Sequence, residues 1–285
     1  MNHAQHDQPH LPYIHLWHYD MLVNKERSQY YSDLIKKHCR DKVVLEIGTG
    51  AGLLAALAIK HGAKRVICCE ENPHLALVAM QLFQRLGLED RVTLISKNSK
   101  DIKTDEIPPV DVVLHELFAS DPFGEEMVPT LADARRFMKK DAIFLPEKIQ
   151  IIYQPVPQAS ILEKLSFDGI DLHEMEELLC IAHPGLRKRD HAKYPPGGFT
   201  LPVVAIADLL DTPYSFVDTN EALIGIDSIE VSFNLIHSDD VMQAAPFKPP
   251  EGERIHWFPV VFSRMDVSSD RLHFSVKNQI QLLVM

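Results

Sequence analysis

The sequence KVVLEIGTGAGLLAALAIKHG, residues 42–62, contains two apolar segments on either side of a glycine-rich turn. The first segment, residues 42–48, is a short continuous apolar run, and such a run predicts a buried strand. The second, residues 51–62, has the length and composition of a helix that ends at a glycine. A buried strand that leads directly into a helix is typical of an α/β fold with a parallel sheet.

The alternation of strand and helix extends over the first half of the chain. A helical amino-terminal segment is predicted at residues 11–40. Further strands are predicted at residues 65–70, 91–96, 110–116 and 142–147, and further helices at 73–86 and about 126–139. This order predicts a parallel sheet with helices on both faces.

The pattern changes after Pro146. Strand-like runs with no regular helices between them follow at residues 149–156, 199–206, 229–236, 255–262 and 271–284. Such runs are typical of an antiparallel barrel or sandwich. A charged and mostly helical insertion is predicted at residues 157–195, and a domain boundary near residue 147.

The turn after the first strand has the spacing of a ligand-binding loop. Gly48, Gly50 and Gly52 follow the pattern GxGxG, which lets the backbone approach a ligand closely. The pattern GxGxxG of a pyrophosphate-binding loop is one residue longer, so this loop suits a nucleoside with an amino-acid tail. The alternative is a strand–glycine–helix turn that binds nothing.

Polar residues follow the second and third predicted strands. Glu70 lies 22 residues beyond Gly48, where an acidic side chain commonly accepts both ribose hydroxyls. Ser99 and Asp101 follow the third strand and are placed to reach an adenine edge. The alternative for Glu70 is a solvated strand end.

The stretch DVVLHELFASDPFGEEMVP, residues 111–129, carries two carboxylates nine residues apart, Glu116 and Glu125. Pro122 and Gly124 predict a turn between them. Two carboxylates that share a small volume repel each other unless a cation lies between them. A planar guanidinium with five donors fits such a pair best. The alternative is an ordinary acidic loop with both side chains in water.

Bulk composition restricts the class of protein. A chain of 285 residues suggests about two domains, and its apolar fraction of 46% and charged fraction of 24% are typical of a soluble globular protein. The net charge of −11 argues against a nucleic-acid partner and favours basic partners. No apolar run approaches a membrane span, and the polar amino terminus lacks a signal-peptide core.

Cysteine and histidine usage bears on the compartment and on metals. The four cysteines form no CxxC pair, and two of them lie in an apolar run, which favours a reducing compartment, the cytoplasm. The fifteen histidines include no HExxH motif. We therefore expect no metal site.

Four motifs, taken together, resemble a known family. EIGTGAG followed by Glu70 resembles the Rossmann-like class of S-adenosylmethionine-dependent methyltransferases. HELFASDPFGEE resembles the double-glutamate loop of protein arginine N-methyltransferases, most closely that of their monomethylating branch. MLVNKER, residues 21–27, is similar to the amino-terminal helix of that family, and Ile255-His256-Trp257 to its Thr-His-Trp loop.

The resemblance implies a fold and a division into domains. A tail and cofactor-covering helices occupy residues 1–40, a Rossmann-like domain 41–147, and an antiparallel β-barrel substrate domain 148–285. The family also implies a homodimer in which the insertion at 157–195 grips the second copy. Alternatively, the insertion packs within its own barrel.

The resemblance implies that S-adenosyl-L-methionine is the cofactor. Arg27 would pair with its carboxylate, Glu70 would hold its ribose, and His18 and Met21 would lie near its sulfonium. The implied cofactor-binding residues are His18, Met21, Arg27, Glu46, Gly48, Gly50, Glu70, Ser99 and Asp101.

The implied activity is methyl transfer to a guanidino nitrogen of arginine in a protein or peptide. Glu116 and Glu125 would clamp the guanidinium and act in catalysis. His256 would brace the amino-terminal helix against the barrel, also as a catalytic residue, and Trp257 would wall the arginine slot. Alternative functions are a methyltransferase for a small guanidino or amino compound and a non-catalytic cofactor-binding scaffold.

The sequence departs from the family pattern at several positions. His115 stands where the family prefers Ser or Thr, and Ile255 stands where it has the loop threonine. Asn24 replaces an Asp that partners the loop histidine, and an Asn cannot stabilise an imidazolium as a carboxylate does. The barrel strands also end at residue 285, earlier than the family pattern leads us to expect.

Overall fold

The structure, a computed structural model, describes residues 14, 17–156, 164–176, 198–223, 228–244, 257, 259–263, 271–276 and 280–284. In this part of the chain, none of the helices combines the length and the apolar character that crossing a bilayer needs.

The first half of the chain forms a five-stranded sheet in which every pair of neighbours is parallel. Its strands are β1 (Val43–Ile47), β2 (Arg65–Cys69), β3 (Val92–Ile95), β4 (Val110–His115) and β5 (Met138–Leu145). The order β3-β2-β1-β4-β5 reverses direction between β1 and β4, so the carboxyl ends of these two strands border a crevice. The predicted Rossmann-like fold is confirmed.

Helices cover this sheet as the sequence predicts. They are α1 (Trp17–Val23), α2 (Lys25–His38), α3 (Leu53–Lys60), α4 (Pro73–Leu86) and α5 (Met127–Ala134). The start of α4 is fixed by Asn72, whose side chain accepts hydrogen bonds from two main-chain N–H groups of the first turn, and its end by Gly87 in the left-handed conformation. Because these caps are local, the bounds of α4 could be read from the sequence.

The predicted helix at about 126–139 is too long. Helix α5 ends at Ala134, a 3₁₀ turn follows at Arg135–Phe137, and β5 begins at Met138, four residues before the predicted strand. The start of β5 is polar and exposed, because β5 lies at the edge of the sheet. A polar edge strand lacks the apolar run by which the other strands were recognised.

The second half of the chain is mainly antiparallel. Strand β6 (Lys148–Val156) pairs along its length with β12 (Ser228–His237), and these two strands form the centre of a six-stranded sheet. Its other strands are β9 (Phe199–Thr200), β10 (Val204–Ala205), β13 (Asp240–Gln243) and β14 (Val260–Ser263). A three-stranded sheet contains β11 (Tyr214–Thr219), β15 (Arg271–Val276) and β16 (Ile280–Val284).

The second half differs from the prediction in several details: β11 and β13 were not predicted, and the predicted strand at 271–284 is the two strands β15 and β16. The predicted strand at 199–206 is two short strands, and a helix that we had not predicted, α6 (Ile206–Asp211), begins at its last residue. A short apolar run does not distinguish a strand from a helix, and here the buried Ile206 and Leu209 lie at helical spacing.

The described part of the insertion, residues 164–176, includes a small hairpin that was not predicted, β7 (Ser166–Phe167) with β8 (Ile170–Asp171). Most of the predicted arm at 157–195 lies outside the described residues. The predicted boundary near residue 147 falls between β5, in the parallel sheet, and β6, in the antiparallel sheet.

Gly52 lets α3 pack closely against α4. Its φ is +86°, and a Cβ atom there would lie 2.8 Å from the ring of Phe83 and 3.2 Å from the Cβ of Ala79. We predict that Gly52→Ala lowers the free energy of unfolding by about 2–4 kcal/mol, because overpacking adds to backbone strain.

Gly87→Ala is the matched control in urea unfolding. Gly87 has a φ of +64°, but an added Cβ would meet no atom within 4 Å. Gly87→Ala should therefore lower the free energy of unfolding only through backbone strain, by about 1–2 kcal/mol. Equal losses in the two variants would contradict the packing role of Gly52.

Candidate functional site

A cavity of about 510 Å³ opens at the carboxyl ends of β1, β2 and β4. Its walls come from α1, from the start of α2, from the glycine-rich turn after β1 and from the loops after β2, β3 and β4. Ligands of open α/β sheets bind at this position, where the strand order reverses. The sheet therefore brings together residues that lie 113 positions apart in the sequence, from Trp17 to Thr130.

The glycine-rich turn gives the cavity a wall of backbone. Gly48 and Gly50 line it, with φ values of +71° and +55° that favour glycine. A Cβ atom at Gly50 would meet no protein atom within 4 Å, and one at Gly48 would approach the side chain of Leu117. The backbone here is accessible to a ligand, as the sequence predicts.

Glu70, at the end of β2, is held by the backbone. Its Oε2 accepts a hydrogen bond from Gly50 N (2.8 Å), and its Oε1 accepts one from Asn72 N (2.9 Å). Each carboxylate oxygen can accept more than one hydrogen bond. Glu70 is therefore a fixed pair of acceptors beside the glycine-rich turn and can receive two neighbouring hydroxyl groups.

Arg27 lies buried in the first turn of α2. Its Nη2 donates to Glu116 Oε2 at 2.5 Å, and the two side chains are only 4% and 8% exposed. Within the described part of the chain, its buried Nε and Nη1 have no hydrogen-bond partner. Arg27 therefore contacts one of the predicted clamp residues directly and has donors left for a second anionic group.

Asn24 accounts for the position of Arg27. Its Oδ1 accepts a hydrogen bond from Arg27 N at 3.0 Å, and this contact caps α2. An Asn suits this role as well as an Asp does. In the family, the residue at the position of Asn24 contacts the loop histidine. The corresponding histidine here, His256, lies outside the described residues.

Glu116 and Glu125 line the same cavity, as the sequence predicts. Burial raises the pKa of Glu116, and the positive charge of Arg27 opposes this shift. Partial desolvation and then the charge of Glu116 raise the pKa of Glu125, although this residue is exposed to solvent. The pair thus has the properties of a receptor for a cation.

Glu46 is buried below the glycine-rich turn. It accepts a hydrogen bond from Thr49 Oγ1 at 2.7 Å. Burial raises its pKa to about 8, and the charge of Glu70 adds to the shift, while the hydrogen bond from Thr49 and the charge of Arg27 lower it. The cavity is lined by six glutamates and by three cationic side chains, those of Arg27, Lys97 and Lys100, and the excess of carboxyl groups favours a cationic ligand.

The loop after β3 forms the outer end of the cavity. Ser99 lines it, whereas the exposed Asp101 is not among the described residues that do. The sequence analysis missed Asn98 and Glu71, which also line this end and are joined by a hydrogen bond from Asn98 Nδ2 to Glu71 Oε2 (2.7 Å). Their position directly beside Ser99 and Glu70 was the signal that could have identified them.

Helix α1 closes one side of the cavity. His18 and Met21 line it as predicted, together with Trp17 and Leu22, which were not predicted. Trp257 does not belong to the described lining: its side chain is 1% exposed, and its Nε1 donates to the main-chain oxygen of Phe118 at 2.6 Å.

His115, the last residue of β4, is a buried neutral side chain. Burial lowers its pKa to about 4, although the hydrogen bond between its Nε2 and the main-chain oxygen of Pro146 (3.2 Å) opposes the shift. Tyr31 Oη donates to the main-chain oxygen of His115 at 3.2 Å. These contacts fix the strand end that carries Glu116. Among the described residues, no group of His, Cys, Asp and Glu could hold a metal ion.

Comparison with known proteins gives a consistent result, although no family model matches the chain. An arginine N(omega)-methyltransferase of Streptomyces achromogenes subsp. streptozoticus is 34% identical over 174 residues, which are 59% of this chain and 48% of that protein. Protein arginine N-methyltransferase 7 of Drosophila persimilis is 31% identical over 202 residues, 64% of this chain and 29% of that protein. The matches thus span less than half the length of these two relatives.

A solved structure shows the same fold. The Trypanosoma brucei PRMT1 enzyme–prozyme heterotetrameric complex with AdoHcy matches with a TM-score of 0.60 at 22% identity. The match covers 90% of this chain and 86% of that chain. The Rossmann-like sheet and the antiparallel second half are therefore parts of one known architecture.

The pKa of Glu46 predicts a pH dependence of stability. Between its ordinary value near 4.5 and about 8, the folded chain holds a proton on Glu46 that the unfolded chain has lost. The free energy of unfolding therefore falls as the pH rises through this window, by at most about 1.4 kcal/mol per pH unit from this group.

The variant Glu46→Gln should lose less stability than the unaltered chain between about pH 5 and about pH 8, as measured by urea unfolding. The control is Glu89→Gln, which changes an exposed side chain. Parallel curves for the unaltered chain and Glu46→Gln would show that Glu46 titrates normally.

Proposed function

We propose that this chain, which is similar to protein arginine N-methyltransferases, belongs to that family and transfers a methyl group from S-adenosylmethionine to a guanidino nitrogen of arginine in a protein or peptide. One observation carries the proposal: Glu116 and Glu125 line the cavity that the glycine-rich turn and Glu70 also line. A site for a cation thus adjoins a site suited to a nucleoside.

The residues present fit S-adenosylmethionine, which when bound supplies a methyl group on a positively charged sulfur. The two backbone-held oxygens of Glu70 suit the ribose hydroxyls. The unpartnered donors of Arg27 suit the carboxylate of the amino-acid tail. Gly48 and Gly50 leave room for the tail, and Ser99 with Asn98 adjoins the adenine end.

The two glutamates hold and orient the substrate guanidinium. Arginine is a poor nucleophile because its charge is spread over three nitrogens. Carboxylates on one side of the group would concentrate the positive charge there and free electron density on the remaining nitrogen. The chain's main contribution would then be to position and orient the guanidinium for methyl transfer.

Arg27 supports this arrangement from the opposite side. By donating to Glu116 it opposes the rise in pKa that burial causes in that carboxyl group and so favours the ionised form that binds a guanidinium. Glu125 has a raised pKa, lines the cavity and is exposed to solvent. It can therefore accept the proton that the methylated product loses and pass it to water.

A second candidate is methylation of free arginine or a related small guanidino compound. The name of the Streptomyces relative specifies arginine and does not mention a protein. The same clamp would serve either substrate. Free arginine and an Arg–Gly peptide, tested side by side with labelled S-adenosylmethionine, separate the two candidates.

Several predictions of the sequence analysis stay predictions. They are the roles of His256 and Trp257, the likeness to the monomethylating branch, the cytoplasmic location and the homodimer. Two observations are compatible with them. Cys39, Cys68 and Cys69 are free and buried, as expected of a reducing compartment. Helix α4 exposes apolar side chains that a second copy could cover: Leu77, Val78, Met80 and Leu86.

The clamp predicts the effect of removing either charge. Glu116→Gln and Glu125→Gln should each reduce kcat on an Arg–Gly peptide by about 10²–10³-fold, because a charge-stabilising group is lost where the reaction occurs. Mass analysis of the methylarginine formed provides the measurement.

Glu89→Gln is the matched control, because Glu89 is exposed and is not among the described residues that line the cavity. It should retain near-normal turnover. Near-normal turnover in both clamp variants would exclude this mechanism.

The cofactor assignment predicts the effect of a change at Arg27. Arg27→Lys keeps the charge but removes the extra donors, so S-adenosylhomocysteine should bind about tenfold more weakly in calorimetry. Arg85→Lys, the same change at an exposed position of α4, should leave binding unchanged. Unaltered affinity in Arg27→Lys, or tight binding of NAD to the unaltered chain, would contradict the assignment.

A further inference from the structure

The loop that carries Glu116 and Glu125 is tied to the second half of the chain at two points. Trp257 Nε1 donates to the main-chain oxygen of Phe118, and Ile280 N, at the start of β16, donates to Asp121 Oδ2 at 3.3 Å. Neither contact uses a clamp glutamate. The position of the loop thus depends on elements that lie more than 130 residues away in the sequence.

Asp121 also folds the loop. Its Oδ1 accepts a hydrogen bond from Phe123 N at 3.0 Å, and its main-chain oxygen accepts one from Gly124 N at 2.9 Å. Pro122 occupies the second position of this turn, where its fixed φ is favourable. The turn ends directly before Glu125, so its geometry sets the direction in which the chain presents that residue.

The surroundings of Asp121 indicate a structural use of its charge. Within the part of the chain that the structure describes, Asp121 forms no ion pair. Its side chain also does not belong to the described lining of the cavity. Both of its carboxylate oxygens accept main-chain hydrogen bonds, one from within the loop and one from β16. Burial raises the pKa of Asp121, and these two hydrogen bonds oppose the shift.

We propose that Asp121 is a positioning residue for Glu125, which joins the turn before that glutamate to the backbone of β16 and so fixes the width of the clamp. The proposal rests on the function proposed above for the two glutamates. On this proposal, the β15–β16 hairpin contributes to catalysis through its backbone. None of its side chains needs to reach the substrate.

Two variants separate the two hydrogen bonds. Asp121→Asn keeps an oxygen that can accept from Phe123 N but places an amide group opposite Ile280 N, and an amide nitrogen cannot accept a hydrogen bond. Asp121→Ala removes both acceptors. Asp105→Asn is the matched control, since Asp105 is exposed in the loop between β3 and β4.

We expect Asp121→Asn to reduce kcat on an Arg–Gly peptide by about tenfold and Asp121→Ala by about 10²-fold, because small misplacements of reacting groups have effects of this size. Affinity for S-adenosylhomocysteine should stay within about twofold of the unaltered chain. Hydrogen exchange at the Ile280 amide should accelerate in both variants, whereas exchange at the Phe123 amide should accelerate only in Asp121→Ala. If Asp121→Ala does not fold, Asp121→Asn decides the test.

Three results would overturn the proposal. They are unchanged kcat in folded Asp121→Asn, a parallel loss of cofactor affinity, and a rise in KM alone, which would indicate direct contact with the substrate. These results presuppose an active unaltered chain. If the unaltered chain methylates neither the peptide nor free arginine, the proposed function itself fails, and this proposal falls with it.

Discussion

The buried ion pair between Arg27 and Glu116 is the interaction on which the site depends. It joins the first turn of α2, capped by Asn24, to the end of β4. A buried carboxylate without a cation is strongly unfavourable, so each partner constrains where the other can lie. Tyr31 reinforces the contact, since its hydroxyl donates to the main chain of His115 and its ring lies 5.4 Å from the Arg27 guanidinium.

This pair also gives the cavity two ends of different character. The remaining donors of Arg27 favour an anionic group, while the excess of carboxyl groups favours a cation. A ligand that carries a carboxylate beside a positive centre satisfies both requirements. On the proposed function, the carboxylate that binds Arg27 would also contact the substrate guanidinium, so the cofactor and substrate regions would share one residue, Glu116.

The sequence was most informative where structure is decided locally. The residues of β1, α3 and α4 combine a continuous apolar run, a glycine turn and helix caps, and each of these signals acts within a few residues. The positions of Glu70, Ser99 and Glu116 in the cavity lining were predictable for a related reason, because the carboxyl ends of neighbouring parallel strands meet at one edge.

The prediction failed where long-range contacts decide. The polar start of β5 becomes a strand only because β4 lies beside it, and α6 forms because its apolar side chains find the core. Trp257 illustrates the same limit. Its hydrogen bond to the main-chain oxygen of Phe118 depends on how the two halves of the chain meet, which the motif does not reveal.

The most direct test of this account is a crystal structure of the chain with S-adenosylhomocysteine and an arginine-containing peptide. We expect the carboxylate of the ligand to contact the Arg27 guanidinium, its ribose hydroxyls to contact Glu70, and the peptide guanidinium to lie between Glu116 and Glu125 with one nitrogen facing the sulfur. A complex in which the two glutamates point away from the sulfur, or in which the ligand binds elsewhere, would contradict it.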